Sequence, residues 1–117
     1  MRLEEIKAKY YESFNSEKLP FLLCKKCGHK FYYPRTRCPK CFSEDLEIMI
    51  SKGFGKIYTM TRFPRLEGSP VFGIIEMDEG FKLYTNILGR NPDVGVKVRI
   101  IFLEKNGRKY PFAEVVI

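Results

Sequence analysis

All four cysteines of the chain fall in two pairs, Cys24-Lys25-Lys26-Cys27 and Cys38-Pro39-Lys40-Cys41, giving the spacing C-x2-C-x10-C-x2-C. A C-x-x-C turn aims both sulfurs at one centre, and two such turns complete a tetrahedral shell of thiolates. Gly28, directly after the first pair, can take positive φ and turn the chain away. Disulfides need an oxidising compartment, and a redox C-x-x-C needs one pair beside a βαβ unit, so neither accounts for two matched pairs. Cys24, Cys27, Cys38 and Cys41 are therefore the expected metal ligands. Structural zinc is the expected ion, with iron on the same four sulfurs as the alternative. A shell closed by four cysteines leaves no position for water or substrate, so the ion holds the fold and does no chemistry. The lone histidine, His29, lies just outside the knuckle and is expected exposed on the ribbon, not as a ligand.

A chain of 117 residues, 44% hydrophobic and 30% charged, fits one ordinary domain or two very small modules and is too apolar to be disordered. No apolar run approaches the ~20 residues that span a bilayer, and the N-terminus carries acids where a signal peptide has an apolar stretch. A cytoplasmic protein without membrane contact is expected. The net charge of +7 is concentrated in the cysteine region, where residues 18–41 hold seven lysines and arginines and no acid. Those cations have two readings: they offset the negative charge of a tetrathiolate metal, or they form a face for phosphate. The chain has no glutamine, and Glu far outnumbers Asp. Heat-adapted proteins favour such usage, so a thermophilic source is expected.

Leu3, Ile6, Tyr10 and Phe14 recur at helical spacing and predict a short amphipathic helix within residues 1–17. It must pack on its own domain or dock on a partner, because a helix this short is marginal alone. Residues 18–45 form the ribbon. From residue 46 the pattern turns to strands: Leu46–Ile50, Lys56–Arg62, Val71–Met77, Phe81–Leu88, Val96–Leu103 and Tyr110–Val116. Asp78-Glu79-Gly80 and Lys105-Asn106-Gly107-Arg108 read as hairpin loops. The expected fold is mainly β: an N-terminal helix, a zinc ribbon, then a five-stranded OB-fold barrel over residues 46–117.

The order of parts and several strings resemble one family, the acyl-CoA-associated OB-fold proteins with a rubredoxin-like zinc ribbon. The strings are Cys24–Gly28, Phe31-Tyr32-Tyr33-Pro34-Arg35 before the second knuckle, Ser51–Tyr58, Ile74–Leu83 and Val94–Val98. The resemblance covers nearly the whole chain. It implies a non-catalytic accessory or scaffold subunit that accompanies a thiolase-type enzyme and contacts coenzyme A or acyl-CoA. Some members bridge a thiolase to hydroxymethylglutaryl-CoA synthase; others partner lipid-transfer-like thiolases or hydratases. The chain departs from the family at Phe42, where glycine is usual, and its end at Ile117 leaves no tail expected for further contacts.

The residues agree on the absence of catalysis. A Ser/His/Asp triad would have to use His29 beside the metal. Gly53-Phe54-Gly55 is a lone Gly-x-Gly that reads as strand entry. Asp78 and Glu79 are adjacent hairpin acids, expected to be solvated. Arg35 and Arg37 are the candidates for meeting coenzyme A phosphates with fork geometry. Phe31, Tyr32 and Tyr33 read as packing residues. The competing function is nucleic-acid binding, with Lys82, Tyr84 and Asn86 as a stripe on one face of a barrel strand.

Overall fold

The computed structural model describes residues 2–116. Helix α1 (Leu3–Asn15) carries Glu4 and Glu5 in its first turn, where acids suit the helix dipole, and buries Ile6, Tyr10 and Phe14 on one face. It ends at Asn15, with Ser16 as the C-cap and Glu17 at φ 57 reversing the chain.

Strand β1 (Leu19–Cys24) pairs antiparallel with the two-residue β2 (Lys30–Phe31) and with β3 (Leu46–Ser51), giving a sheet in the order β2-β1-β3. Every residue of β1 except Leu23 is buried, because α1 packs on this strand and Phe21 meets the barrel at Phe81. The strand at Leu46 thus belongs to the ribbon sheet, not to the barrel expected over residues 46–117. It is fixed there by six paired positions, Met49 beside Phe21 and Ile48 beside Leu22 among them. Gly53, at φ 87, then turns the chain into the barrel.

The barrel comprises β4 (Phe54–Arg62), β5 (Val71–Met77), β6 (Lys82–Leu88), β7 (Lys97–Lys105) and β8 (Arg108–Val115), closed in the order β4-β5-β6-β8-β7. All its pairs are antiparallel except β6 with β8. That single parallel closure is the Greek-key return of an OB barrel. Strand β5 alternates strictly, with Val71, Gly73, Ile75 and Met77 inward. At Gly73 a Cβ would lie 2.3 Å from the carbonyl oxygen of Thr59, so only glycine lets β4 and β5 approach where the register shifts between Ile57 and Thr59.

One continuous core unites the parts, from Ile6 and Leu22 through Phe21 to Phe81, Ile75 and Val98. At its centre the rings of Phe21 and Phe81 stack at 4.6 Å, and Tyr32 lies parallel to Phe81 at 6.4 Å. The hydroxyl of Tyr10 donates to the Tyr32 carbonyl at 2.5 Å, tying α1 to the ribbon. Burial pushes the Tyr10 and Tyr32 hydroxyls far up, so both rings stay neutral.

Glu79 corrects the expectation of a solvated hairpin acid. Its carboxylate accepts from Ser51 Oγ and from the Lys52 backbone N–H, both at 2.8 Å, and its carbonyl accepts from Lys30 Nζ at 3.0 Å. The hairpin after β5 therefore clamps the ribbon to the barrel. Glu79→Ala leaves the buried Ser51 hydroxyl without its charged acceptor and should cost about 1.5–3 kcal/mol, read as a fall in the urea midpoint with an unchanged slope.

Candidate metal centre

The two knuckles repeat one backbone pattern. Gly28 N–H donates to the Cys24 carbonyl at 2.8 Å, and Phe42 N–H donates to the Cys38 carbonyl at 2.9 Å. Cys24 N–H reaches His29 O, and Cys38 N–H reaches Ser43 O, both at 2.9 Å. The residue closing each turn has positive φ: 80 at Gly28 and 64 at Phe42. Phe42 thus adopts the backbone that glycine would adopt, and the turn is kept in spite of the substitution. Its ring is 69% exposed, so little packing repays the strain. Phe42→Gly relieves a left-handed conformation costing about 1–2 kcal/mol and adds chain entropy worth about 0.5–1 kcal/mol to the unfolded state. A net gain near 0.5 kcal/mol is expected, seen as a slightly raised thermal midpoint.

The four sulfurs lie within 4.8 Å of one another, with Cys24 to Cys41 at 3.5 Å and Cys27 to Cys38 at 3.6 Å. A tetrahedron with ~2.3 Å zinc–sulfur bonds has edges of about 3.8 Å, so these residues fit the ion. Backbone N–H groups already point at the sulfurs as they would at thiolates. Those of Cys27 and Lys26 hold the Cys24 thiol down at about 6, against the effect of burial. At Cys38 burial raises the thiol, but the N–H groups of Cys41 and Lys40 outweigh it and the net shift is downward. Cys24 and Cys38 are fully buried while Cys27 is exposed, so one side of the cluster is sealed by protein. The set would hold zinc as a structural cross-link between the β1 end and the 38–41 turn.

His29 takes no part in the cluster. It is half-buried rather than exposed, stacked on Phe31 at 5.8 Å. Arg37 reaches Glu44 at 3.1 Å and the Phe42 carbonyl at 3.3 Å, so part of its fork is engaged within the chain. Arg35 is exposed beside it, and both line a groove of about 340 Å³ with Leu3, Pro34 and Phe42. Phe31 and Tyr32 pack as expected, whereas Tyr33 is 53% exposed, its hydroxyl accepting from Tyr84 N–H at 3.4 Å.

A second surface was only partly foreseen. Lys82 and Tyr84 do share the outer face of β6, and Asn86 joins them half-buried. Around them Tyr84 stacks on Phe72 at 6.1 Å, Phe63 meets Phe72 edge-on, and Lys82 Nζ sits 4.6 Å over the ring of Tyr58. Tyr58 and Tyr84 are more than half exposed. The signal missed was the bulge at Ile57–Thr59, which alternation alone does not reveal and which leaves Thr59 exposed beside Tyr58.

Residues 16–47 match the family described as ChsH2, rubredoxin-like zinc ribbon domain. A DUF35 domain-containing scaffold protein of Methanothermobacter thermautotrophicus is 30% identical over 89 residues, covering 68% of this chain and 67% of that protein. The benzoylsuccinyl-CoA thiolase subunit BbsA of Thauera aromatica is 29% identical over 56% of this chain. A probable enoyl-CoA hydratase alpha subunit of Thermomonospora curvata is 29% identical over 81% of this chain. The chain spans 32% of that hydratase subunit and 49% of the thiolase subunit. Among solved structures, the Ltp2-ChsH2(DUF35) aldolase superposes with a TM-score of 0.80 at 25% identity, covering 95% of this chain and 94% of the matched one. Among the described residues no helix is long and apolar enough to cross a membrane.

Proposed function

This chain belongs to the DUF35 family of scaffold proteins, and from that premise we propose that it is a non-catalytic accessory subunit of a thiolase-type acyl-CoA enzyme. One observation carries the reading: the chain matches, over nearly its whole length, a DUF35 chain that is one part of a two-protein aldolase. The site chemistry supports it. Four sulfurs close the metal's shell, and the only histidine, His29, is stacked on Phe31 beside those sulfurs, so the thiols nearest to it are committed to the metal and no nucleophile–base set assembles. The exposed Tyr58, Phe63 and Tyr84 on the barrel, with Lys82 among them, have the composition of a protein-binding face.

The finer reading extends to the ligand. Arg35 and Arg37, at the mouth of the groove by Pro34 and Phe42, would meet the phosphates of coenzyme A bound in the enzyme. Hydroxymethylglutaryl-CoA synthase is the candidate for a second, bridged enzyme. Coexpression with the thiolase encoded in the same genome is expected to yield a stoichiometric complex, with no turnover of acyl-CoA by the isolated chain. Recovery of both proteins separately, or turnover by this chain alone, overturns the reading. Arg35→Ala with Arg37→Ala should weaken coenzyme A binding by the complex; unchanged affinity removes the phosphate contact alone. The Lys82, Tyr84, Asn86 stripe with its stacked Phe72 favours a second reading, single-stranded nucleic acid, which requires binding with a steep salt dependence.

A further inference from the structure

We propose that β3 is the edge across which two copies of this chain join, by antiparallel strand pairing about a twofold axis at Ile48. The barrel strands close on one another, and the other edge of the ribbon sheet, β2, is two residues long and begins with a lysine. Strand β3 is different: six residues, Leu-Glu-Ile-Met-Ile-Ser, with β1 on one side and, among the described residues, no strand on the other. It carries no lysine, proline or bulge within the strand, and Glu47 is its one charged residue.

The phase of its hydrogen bonds is fixed by the Lys25 N–H bond to Asp45 O at 2.9 Å. Paired positions alternate from there, so Glu47 and Met49 exchange bonds with β1 while Leu46, Ile48 and Ile50 turn their backbone groups outward. Pro20, which has no N–H, stands opposite Ile50, in keeping with that phase. Leu46 N–H is engaged locally with Glu44 O at 2.9 Å. Ile48 and Ile50 therefore offer donors and acceptors to a neighbouring strand, and the Ile50 side chain is 48% exposed.

Charge selects the occupant. The strand is acidic before its start, at Asp45 and at Glu44, whose carboxylate Arg37 partly offsets, and cationic at its end, where Lys52 follows and where Lys9 and Lys18 outnumber Glu12 in the groove beside Ile50. A second copy running antiparallel sets Ile48 against Ile48, Leu46 against Ile50, and the Glu44-Asp45 end against the Lys18–Lys52 end, twice by symmetry. A parallel copy would set like charges together.

The test is the mass of the zinc-loaded full chain by sedimentation velocity across a dilution series. A dimer that dissociates on dilution is expected. Ile50→Lys charges the edge at a half-exposed side chain, and Ile48→Pro deletes the outward N–H without touching the bonds to β1. Each change enters the interface twice and should raise the dimer dissociation constant about a hundredfold. Zinc content and the thermal midpoint, measured on the same samples, report that the variants remain folded. A wild-type chain that stays monomeric throughout, as it would if a partner enzyme's strand were the occupant, overturns the proposal. So does dimerisation of folded Ile50→Lys and Ile48→Pro as tight as that of the wild type. Neither result depends on the accessory-subunit reading, whose test uses the enzyme partner.

Discussion

Stripping the metal with a strong chelator should unfold more than the ribbon. About one zinc per chain is expected to leave, and the loss of near-ultraviolet tyrosine signal should extend to residues of the barrel. In small zinc domains the ion contributes on the order of 10 kcal/mol or more, which is as much as a whole domain's stability. Here the ligand turns anchor one end of β1, a strand buried against both α1 and Phe81. Losing the turns frees that strand, and the continuous core couples the loss to β6 and β8. Cys38→Ser and Cys24→Ser should be as damaging as chelation, because both sulfurs are fully buried. Cys27→Ser should be milder, since its side is open to water. Acid should act in the same direction. The His29 N–H lowers the Cys27 thiol, but burial and the neighbouring sulfurs outweigh it and raise that thiol to about 11, a contribution lost only as pH rises. The Cys24 thiol is instead depressed to about 6 in the fold, so its contribution is fully present above the ordinary thiol range and is lost as pH falls through about 6. Metal binding releases protons and shares that sign. Zinc release followed with a colorimetric chelator, beside circular dichroism at each pH, checks both points. An apo-protein that keeps its tertiary signal and its partner removes the idea that the ion organises the molecule.

The metal ligands were legible because their chemistry is local: two short turns carry the whole signal, and the backbone geometry around Gly28 and Phe42 follows from the spacing. Helix α1 was legible because one face is dry and the other wet. Strand β1 was not, because a strand buried on both sides shows no alternation, and Pro20 argues against a central strand until its nitrogen, which carries no hydrogen, is seen to face where β2 no longer runs. The sheet to which Leu46–Ser51 belongs was equally hidden. Pairing is a long-range choice, and nothing within the segment distinguishes a ribbon edge from a first barrel strand. Glu79 was misread because sequence shows a hairpin acid but not that Ser51 and Lys52 return to meet it. The OB barrel itself was legible through its turns, though the parallel closure of β6 on β8 was not, since it joins strands separated by β7.

Phe81→Ala tests whether the ribbon and barrel are one body. The side chain is 1% exposed, directly follows the hairpin glycine, and stacks on Phe21 from the ribbon sheet and parallel to Tyr32 from the segment after β2. Truncating a buried phenylalanine costs about 3–5 kcal/mol, and the cavity here cannot collapse, because its walls are two sheets held apart by their own ladders. The lost ring stacking is worth about 0.5–1.5 kcal/mol of the total. For a chain of this size that predicts a thermal midpoint lower by roughly 10–20 °C. Zinc content should stay at the wild-type value, since no ligand turn touches Phe81. Calorimetry distinguishes two ways of losing that stability. A single, lower transition means the core still melts as one unit; two transitions mean that the Phe21–Phe81 stack was the joint making ribbon and barrel cooperative. Phe63→Ala is the control, a ring 38% exposed on the outer face, where the same truncation should cost well under 1 kcal/mol. If Phe81→Ala were equally mild, the two parts would have to be held by the Glu79 clamp and α1, and partner binding would then survive the loss of the aromatic joint.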